Sequence, residues 1–195
     1  MKDRRQQILR KALELYLERG YAGVSISVLQ EELGIGRATM YYYFKDKEEL
    51  FRTIVTHYYL EPLNQSISMP DDITLPVLIK SRKDLYLERR EFFATFHNVH
   101  ITAYNLQSLL LYATIHFPDI GHTVGEMKKQ ETQLWRRALL NSIQKDEVRR
   151  NIEPDNLALA FSGLKEMGDL SVFVKVEYGE RYINAMNYLF DLIKN

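Results

Sequence analysis

An all-α fold is what this sequence predicts, and three observations predict it. Apolar residues recur at helical spacing along nearly all of the 195 residues, cap and stop residues fall where that periodicity begins and ends, and strand signals are few. The best of those, Ser171 to Val176, is β-branched but lies inside a longer helical pattern. At 46% hydrophobic and 27% charged, with 26 basic and 26 acidic side chains, the chain can bury a substantial core and is not disordered. The absence of cysteine excludes a disulfide framework, a thiol nucleophile and a cysteine zinc site. The start, MKDRRQQILRKA, lacks the apolar core of a signal peptide, and no run approaches about 20 apolar residues. The expectation is a cytoplasmic protein with no membrane partner.

The first helix is expected at about 3–19, where Ile8, Leu9, Ala12, Leu13 and Tyr16 share a face and Gly20 stops it. A second spans about 25–33, with either Ser25 or Ser27 as N-cap, the latter forming a capping box with Gln30. Gly34-Ile35-Gly36 ends it, and a third covers about 37–44. Asp46 with Glu49 is a capping box for a connecting helix over 47–64, with Leu50, Phe51, Ile54, Val55 and Tyr58 as its buried stripe. Ser66 to Pro76 is the best linker. Further helical stretches fall at about 75–88, 91–104, 106–116, 120–146, 154–176 and 179–194, with breaks at Pro118, at 151–154 and at Gly179. The predicted organisation is a three-helix N-terminal domain, 1–46, and a helical domain, 47–195.

Ser25 to Phe51 is the informative stretch. Two short helices joined by a tight glycine-containing turn describe a helix-turn-helix, whose second helix enters the DNA major groove. Leu29, Leu33, Ile35, Met40 and Phe44 can lock the pair, leaving Arg37, Thr39, Tyr42 and Tyr43 outside. Tyrosine hydroxyls can donate to phosphate oxygens, Arg37 brings charge to the groove edge, and Ala38 lets the backbone approach. Thr39 can meet a base edge or a thymine methyl. Lys47, in the first turn of its helix, places an ammonium beside unpaired backbone amides, a phosphate clamp. Residues 1–56 hold ten basic and eight acidic side chains, an excess too small to argue nucleic-acid binding by itself.

These residues resemble the tetracycline-repressor (TetR) family of bacterial regulators. The shared elements read Ser25, Gly34, Thr39, Tyr41-Tyr42-Tyr43-Phe44 and Lys47-Glu48-Glu49-Leu50, and the resemblance covers about Arg5 to Phe51. Gln30 stands where the family usually has alanine, Leu33 where a smaller residue is common, and Gly36 where serine is frequent. The DNA-binding set implied is Ser25, Ser27, Arg37, Ala38, Thr39, Tyr41, Tyr42, Tyr43 and Lys47. The resemblance also implies a small-molecule pocket in the larger region, whose release mechanism frees DNA when an effector binds.

That region is rich in aromatic residues able to line an apolar cavity with a few polar groups. The candidate effector residues are Phe93, Phe96, His97, His100, Tyr104, Tyr112, Trp135 and Phe161, for an apolar or aromatic molecule. His97 and His100 could share a helix face as a metal pair, but no cysteine, HExxH or carboxylate partner accompanies them, so no metal or other cofactor is expected. Neither a GxSxG elbow, a phosphate loop nor a dinucleotide fingerprint occurs, and the chain is not expected to be an enzyme. The last two helical stretches are apolar over more than one stripe and must be buried from two sides; their own core covers one, and the other could be covered within the monomer or by a second subunit, as the resemblance implies. Candidate interface residues are Leu157, Phe161, Leu164, Tyr182, Met186, Leu189 and Phe190. The sequence thus points to a ligand-responsive repressor acting as a homodimer on a palindromic operator of double-stranded DNA. The competing reading is a helical protein–protein interaction module with a degenerate helix-turn-helix.

Overall fold

The computed structural model describes the backbone of residues 2–96, 103–171 and 176–195, and the side chains of 4–96, 108–165 and 181–195. It is all-α, and no named strand occurs among the described residues; an isolated antiparallel bridge joins Val148 to Lys194. The helices are α1 (Lys2–Arg19), α2 (Ile26–Leu33), α3 (Arg37–Tyr43), α4 (Lys47–Val55), α5 (Glu61–Ile67), α6 (Leu75–Ala94), α7 (Ala103–His116), α8 (Pro118–Gln144), α9 (Pro154–Ser171) and α10 (Val176–Ile193). A π turn, Thr56–Leu60, joins α4 to α5. Pro62 explains it: a proline there has no N–H to donate and its ring presses on the preceding turn, and the wider register absorbs both. Among the described residues no helix is long and apolar enough to cross a membrane.

The chain divides into two compact units, Met1–Pro62 with Phe96–His122, and Leu63–Thr95 with Thr123–Asn195. The first unit takes in residues 1–46 together with α4 and α7. Leu50, Phe51, Ile54 and Val55 of α4 have no exposed surface, and α4 and α7 both pack on α1. Within α1, Ile8, Leu9, Ala12 and Leu13 are fully buried, and Leu15 and Leu17 are nearly so, since this helix is covered by more than one neighbour. Gly20, at φ +70°, ends α1, its N–H donating to the Tyr16 carbonyl at 2.9 Å.

In the second unit α10 packs on α6 and α9. Its core holds Leu75, Leu78, Trp135, Ala138, Leu139, Phe161 and Met186. Arg82 and Glu131 are buried within it. Arg82 Nε and Nη2 donate to the two carboxylate oxygens of Glu131, each at 3.1 Å, and Nη1 donates to the Ser66 carbonyl at 2.9 Å. The Trp135 indole donates to the same carboxylate at 2.8 Å. The start of α6 is capped from a distance: the Leu75 N–H donates to the Ser142 hydroxyl at 2.8 Å, because Thr74 makes no side-chain cap.

Two expected breaks are absent. The stretches predicted at 75–88 and 91–104 are one helix to Ala94, since nothing after Pro76 interrupts it; residues 97–102 lie outside the described ones. Gly179 does not stop a helix but sits inside α10, a position that costs about 1 kcal/mol relative to alanine and is tolerated where packing compensates. Residues 172–175, which carried the strand signal, lie outside the described ones.

Candidate nucleic-acid interface

The helix-turn-helix is built by local chemistry. The Ser25 hydroxyl accepts from the Val28 N–H at 3.2 Å and is the N-cap of α2, which leaves Ser27 exposed in the first turn. Gly34 takes the left-handed conformation (φ +60°) that closes α2, and its N–H donates to Gln30 and Glu31 carbonyls. Leu29 and Met40 are fully buried, and Phe44 and Ile35 nearly so; Leu33 is half-buried. The Asp46 carboxylate accepts from the Glu49 N–H at 2.7 Å, and Glu49 returns the contact to the N–H of Lys45 at 2.6 Å, one residue before the position a standard capping box uses.

The inward residues fix what faces out. Arg37, Ala38, Thr39, Tyr41 and Tyr42 are all exposed on α3, Tyr42 by 67%, and Tyr43 is half-buried. The Arg37 guanidinium lies 5.4 Å from the Tyr41 ring centre, and Tyr42 and Tyr43 meet edge to face at 5.0 Å. The Lys47 ammonium sits 4.0 Å over the Tyr21 ring, and its partial burial there pulls its pKa below the ordinary lysine value. Tyr21, which underlies this candidate site residue, is not among the residues that the sequence singles out. Its only signal was an aromatic directly after the Gly20 stop, and the register that brings it under Lys47 depends on how α1 meets α4.

Gln30 carries a strain of its own. Its Nε2 is buried with no hydrogen-bond partner. A buried donor left unpaired costs about 1–3 kcal/mol. Replacing Gln30 with leucine, similar in size, is expected to raise stability by about 1 kcal/mol, read as a higher urea midpoint at unchanged slope; a lower midpoint would show that the amide is satisfied.

The remaining predicted residues are scattered. Trp135 and Phe161 stack with ring centres 5.1 Å apart and planes 12° apart, both without exposed surface, so they fill core rather than face an open space. Phe93 is buried in the second unit and Phe96 in the first, where Arg10 lies 4.7 Å over its ring. Tyr112, also in the first unit, stacks on His116 at 4.1 Å. His97 and His100, and the side chain of Tyr104, lie outside the described residues. Of the interface candidates, Phe161, Tyr182 and Met186 are buried inside the protomer, while Leu157, Leu164, Leu189 and Phe190 are half-buried. Among the described residues of α9 and α10, the exposed large apolar ones are Leu159, 66% exposed, Tyr188 and Leu192.

Residues 8–54 match the model of the tetR family of bacterial regulatory proteins. Over those residues the chain is similar to that family. It is similar to the HTH-type transcriptional repressor AcnR of Corynebacterium diphtheriae, 29% identical over 94 residues that make up 47% of this chain and 46% of that repressor. Against two uncharacterised HTH-type regulators of Bacillus subtilis the match spans 25% and 20% of their lengths, so the chain aligns with less than half of these curated relatives. Among solved structures, a TetR transcription regulator from Haloarcula marismortui superposes with a TM-score of 0.72 at 14% identity, covering 100% of both chains. A transcriptional regulator from Saccharomonospora viridis, in complex with choline, gives 0.64 at 17% identity over 100% of both. At these identities the likeness is one of fold.

Proposed function

We propose that this chain is a TetR-family protein: a cytoplasmic, ligand-responsive transcriptional repressor that binds a palindromic operator as a homodimer and catalyses no reaction. The observation that carries the reading is the outward face of α3 with Lys47: Arg37, Thr39, Tyr41 and Tyr42 exposed above a buried Met40 and Phe44, with an ammonium at the start of the next helix. Residues 1–46 are the reading head, together with Lys47, and 47–195 carry sensing and dimerisation. Ser25, Ser27, Tyr42, Tyr43 and Lys47 hold phosphates; Arg37 and Thr39 meet base edges, with Ala38 permitting close approach.

Changing Tyr42 or Lys47 to alanine is expected to weaken binding to operator and to random duplex by similar factors, because phosphate contacts carry no sequence information. Lys47→Ala is also expected to lower the slope of log affinity against log salt by about one unit. Fluorescence anisotropy at several salt concentrations measures both. Loss of operator discrimination alone would reverse the assigned roles, and no salt-dependent duplex binding would leave an interaction module.

Dimerisation is assigned to α9 and α10 through the apolar side chains that the protomer leaves outside. Leu159→Arg is expected to shift the protein to monomer in sedimentation velocity, since an unpaired charge in an apolar interface costs several kcal/mol. An unchanged dimer would place the interface elsewhere. Effector binding acts by changing the separation of the two recognition helices, which must lie about 34–36 Å apart to enter successive major grooves. The choline held by the Saccharomonospora viridis regulator supports a small organic molecule as the effector class.

A further inference from the structure

We propose that Tyr21 is the positioning residue for Lys47: its ring holds the ammonium off the acidic side chains beside it in sequence, so that the charge stays free to meet a backbone phosphate. The inference rests on the assignment of Lys47 to a phosphate, and all the residues concerned lie within the first unit.

Lys47 stands between Asp46 and the pair Glu48-Glu49, so carboxylates flank its ammonium on both sides in sequence. A lysine paired with one of them would offer a phosphate less net charge. Other cations at this end of α4 are paired in that way: Lys45 lies 3.8 Å from Asp46, and Arg52 reaches Glu48 at 2.8 Å. Among the described residues Lys47 makes no ion pair, and its ammonium lies instead 4.0 Å from the centre of the Tyr21 ring. A ring attracts a cation through its quadrupole and leaves the charge unneutralised, so the ammonium is held in place and still available to an anion. The neighbouring carboxylates have other partners: Asp46 accepts from the Glu49 N–H at 2.7 Å, and Glu49 accepts from the Lys45 N–H at 2.6 Å. The Tyr21 ring is fixed in its turn by three more, Phe51 at 4.6 Å, Tyr112 of α7 at 4.9 Å and Tyr16 of α1 at 5.7 Å. Lys47 is thus presented from a packed aromatic cluster rather than from a freely moving stem.

The probe is a fluorescein-labelled random-sequence duplex, titrated by anisotropy at several salt concentrations, since a phosphate contact needs no particular sequence. Tyr21→Phe, which keeps the ring and removes the hydroxyl, is expected to bind as the unmodified protein does. Replacing Tyr21 by pentafluorophenylalanine keeps the shape but reverses the quadrupole of the ring. That protein is expected to bind about two- to fivefold more weakly and with a lower salt slope. In a Lys47→Ala background the same replacement is expected to change nothing, because Tyr21 acts through Lys47. Full affinity in the fluorinated protein, the same loss in Tyr21→Phe, or the same loss with Lys47 already removed overturns the inference and leaves the phosphate reading standing. No salt-dependent binding by the unmodified protein overturns both.

Discussion

Glu131→Leu is expected to destabilise the protein by about 3–5 kcal/mol, the cost of leaving a buried charge without its partner. Arg82 has 1% of its side chain exposed and Glu131 3%, so neither can turn to solvent when the other is removed. The geometry raises the stakes further, because Glu131 accepts two guanidinium bonds and the Trp135 indole bond. Without that carboxylate, a guanidinium and an indole N–H lose acceptors together. The reverse change, Arg82→Met, is expected to cost a similar amount, since it strips two donors from Glu131 and one from the Ser66 carbonyl. The double variant Arg82→Met, Glu131→Leu is expected to recover most of the loss, because a well-packed apolar pair of similar volume is often as stable as a buried ion pair. Urea unfolding of all four proteins closes the cycle. Single variants costing under about 1 kcal/mol would mean that water reaches the pair.

What the sequence could and could not reveal follows from how local each signal is. The helix-turn-helix was legible because its determinants sit within a few residues of one another: Ser25 caps α2, Gly34 closes it in a left-handed turn, and Asp46 opens α4. The buried set Leu29, Met40 and Phe44 follows from helical spacing, and the exposure of Arg37, Thr39 and Tyr42 follows from that set. The Tyr21 platform under Lys47 was not legible, since it depends on an approach of two helices that no spacing encodes. The same holds for α9 and α10. Periodicity showed both helices to be apolar over more than one stripe, but assigned Phe161, Tyr182 and Met186 to the outer one. In the structure Phe161 is taken by Trp135 and Tyr182 meets Tyr86 at 5.5 Å, so the inner stripe is theirs and Leu159, Tyr188 and Leu192 are left outside. A stripe pattern tells how many faces are apolar; only a neighbour decides which one is already covered.

An isolated half-operator is expected to bind barely better than random duplex, while the complete palindrome binds far more tightly. The reason lies in the length of α3. It has seven residues, and of its outward side chains only Arg37 can form a bidentate base contact, with guanine; Thr39 adds one hydrogen bond or a methyl contact. In the proposed assignment Tyr42 and Tyr43 hold register on the backbone and discriminate little. Each base pair read by Arg37 or Thr39 therefore contributes about 1–3 kcal/mol when mismatched, and one half-site supplies only a few such pairs. Two half-sites double that energy while sharing one cost of association, so discrimination emerges only in the dimer. Arg37→Ala should accordingly relax preference at one symmetric pair of positions and leave affinity for random duplex reduced by a single charge's salt dependence. The measurement is a titration of full-site, half-site and random duplexes at one fixed salt concentration, with and without the Leu159→Arg change. Equal affinity for half-site and full site in the unmodified protein would remove the need for a dimer, and with it the mechanism by which a change in the spacing of two recognition helices releases DNA.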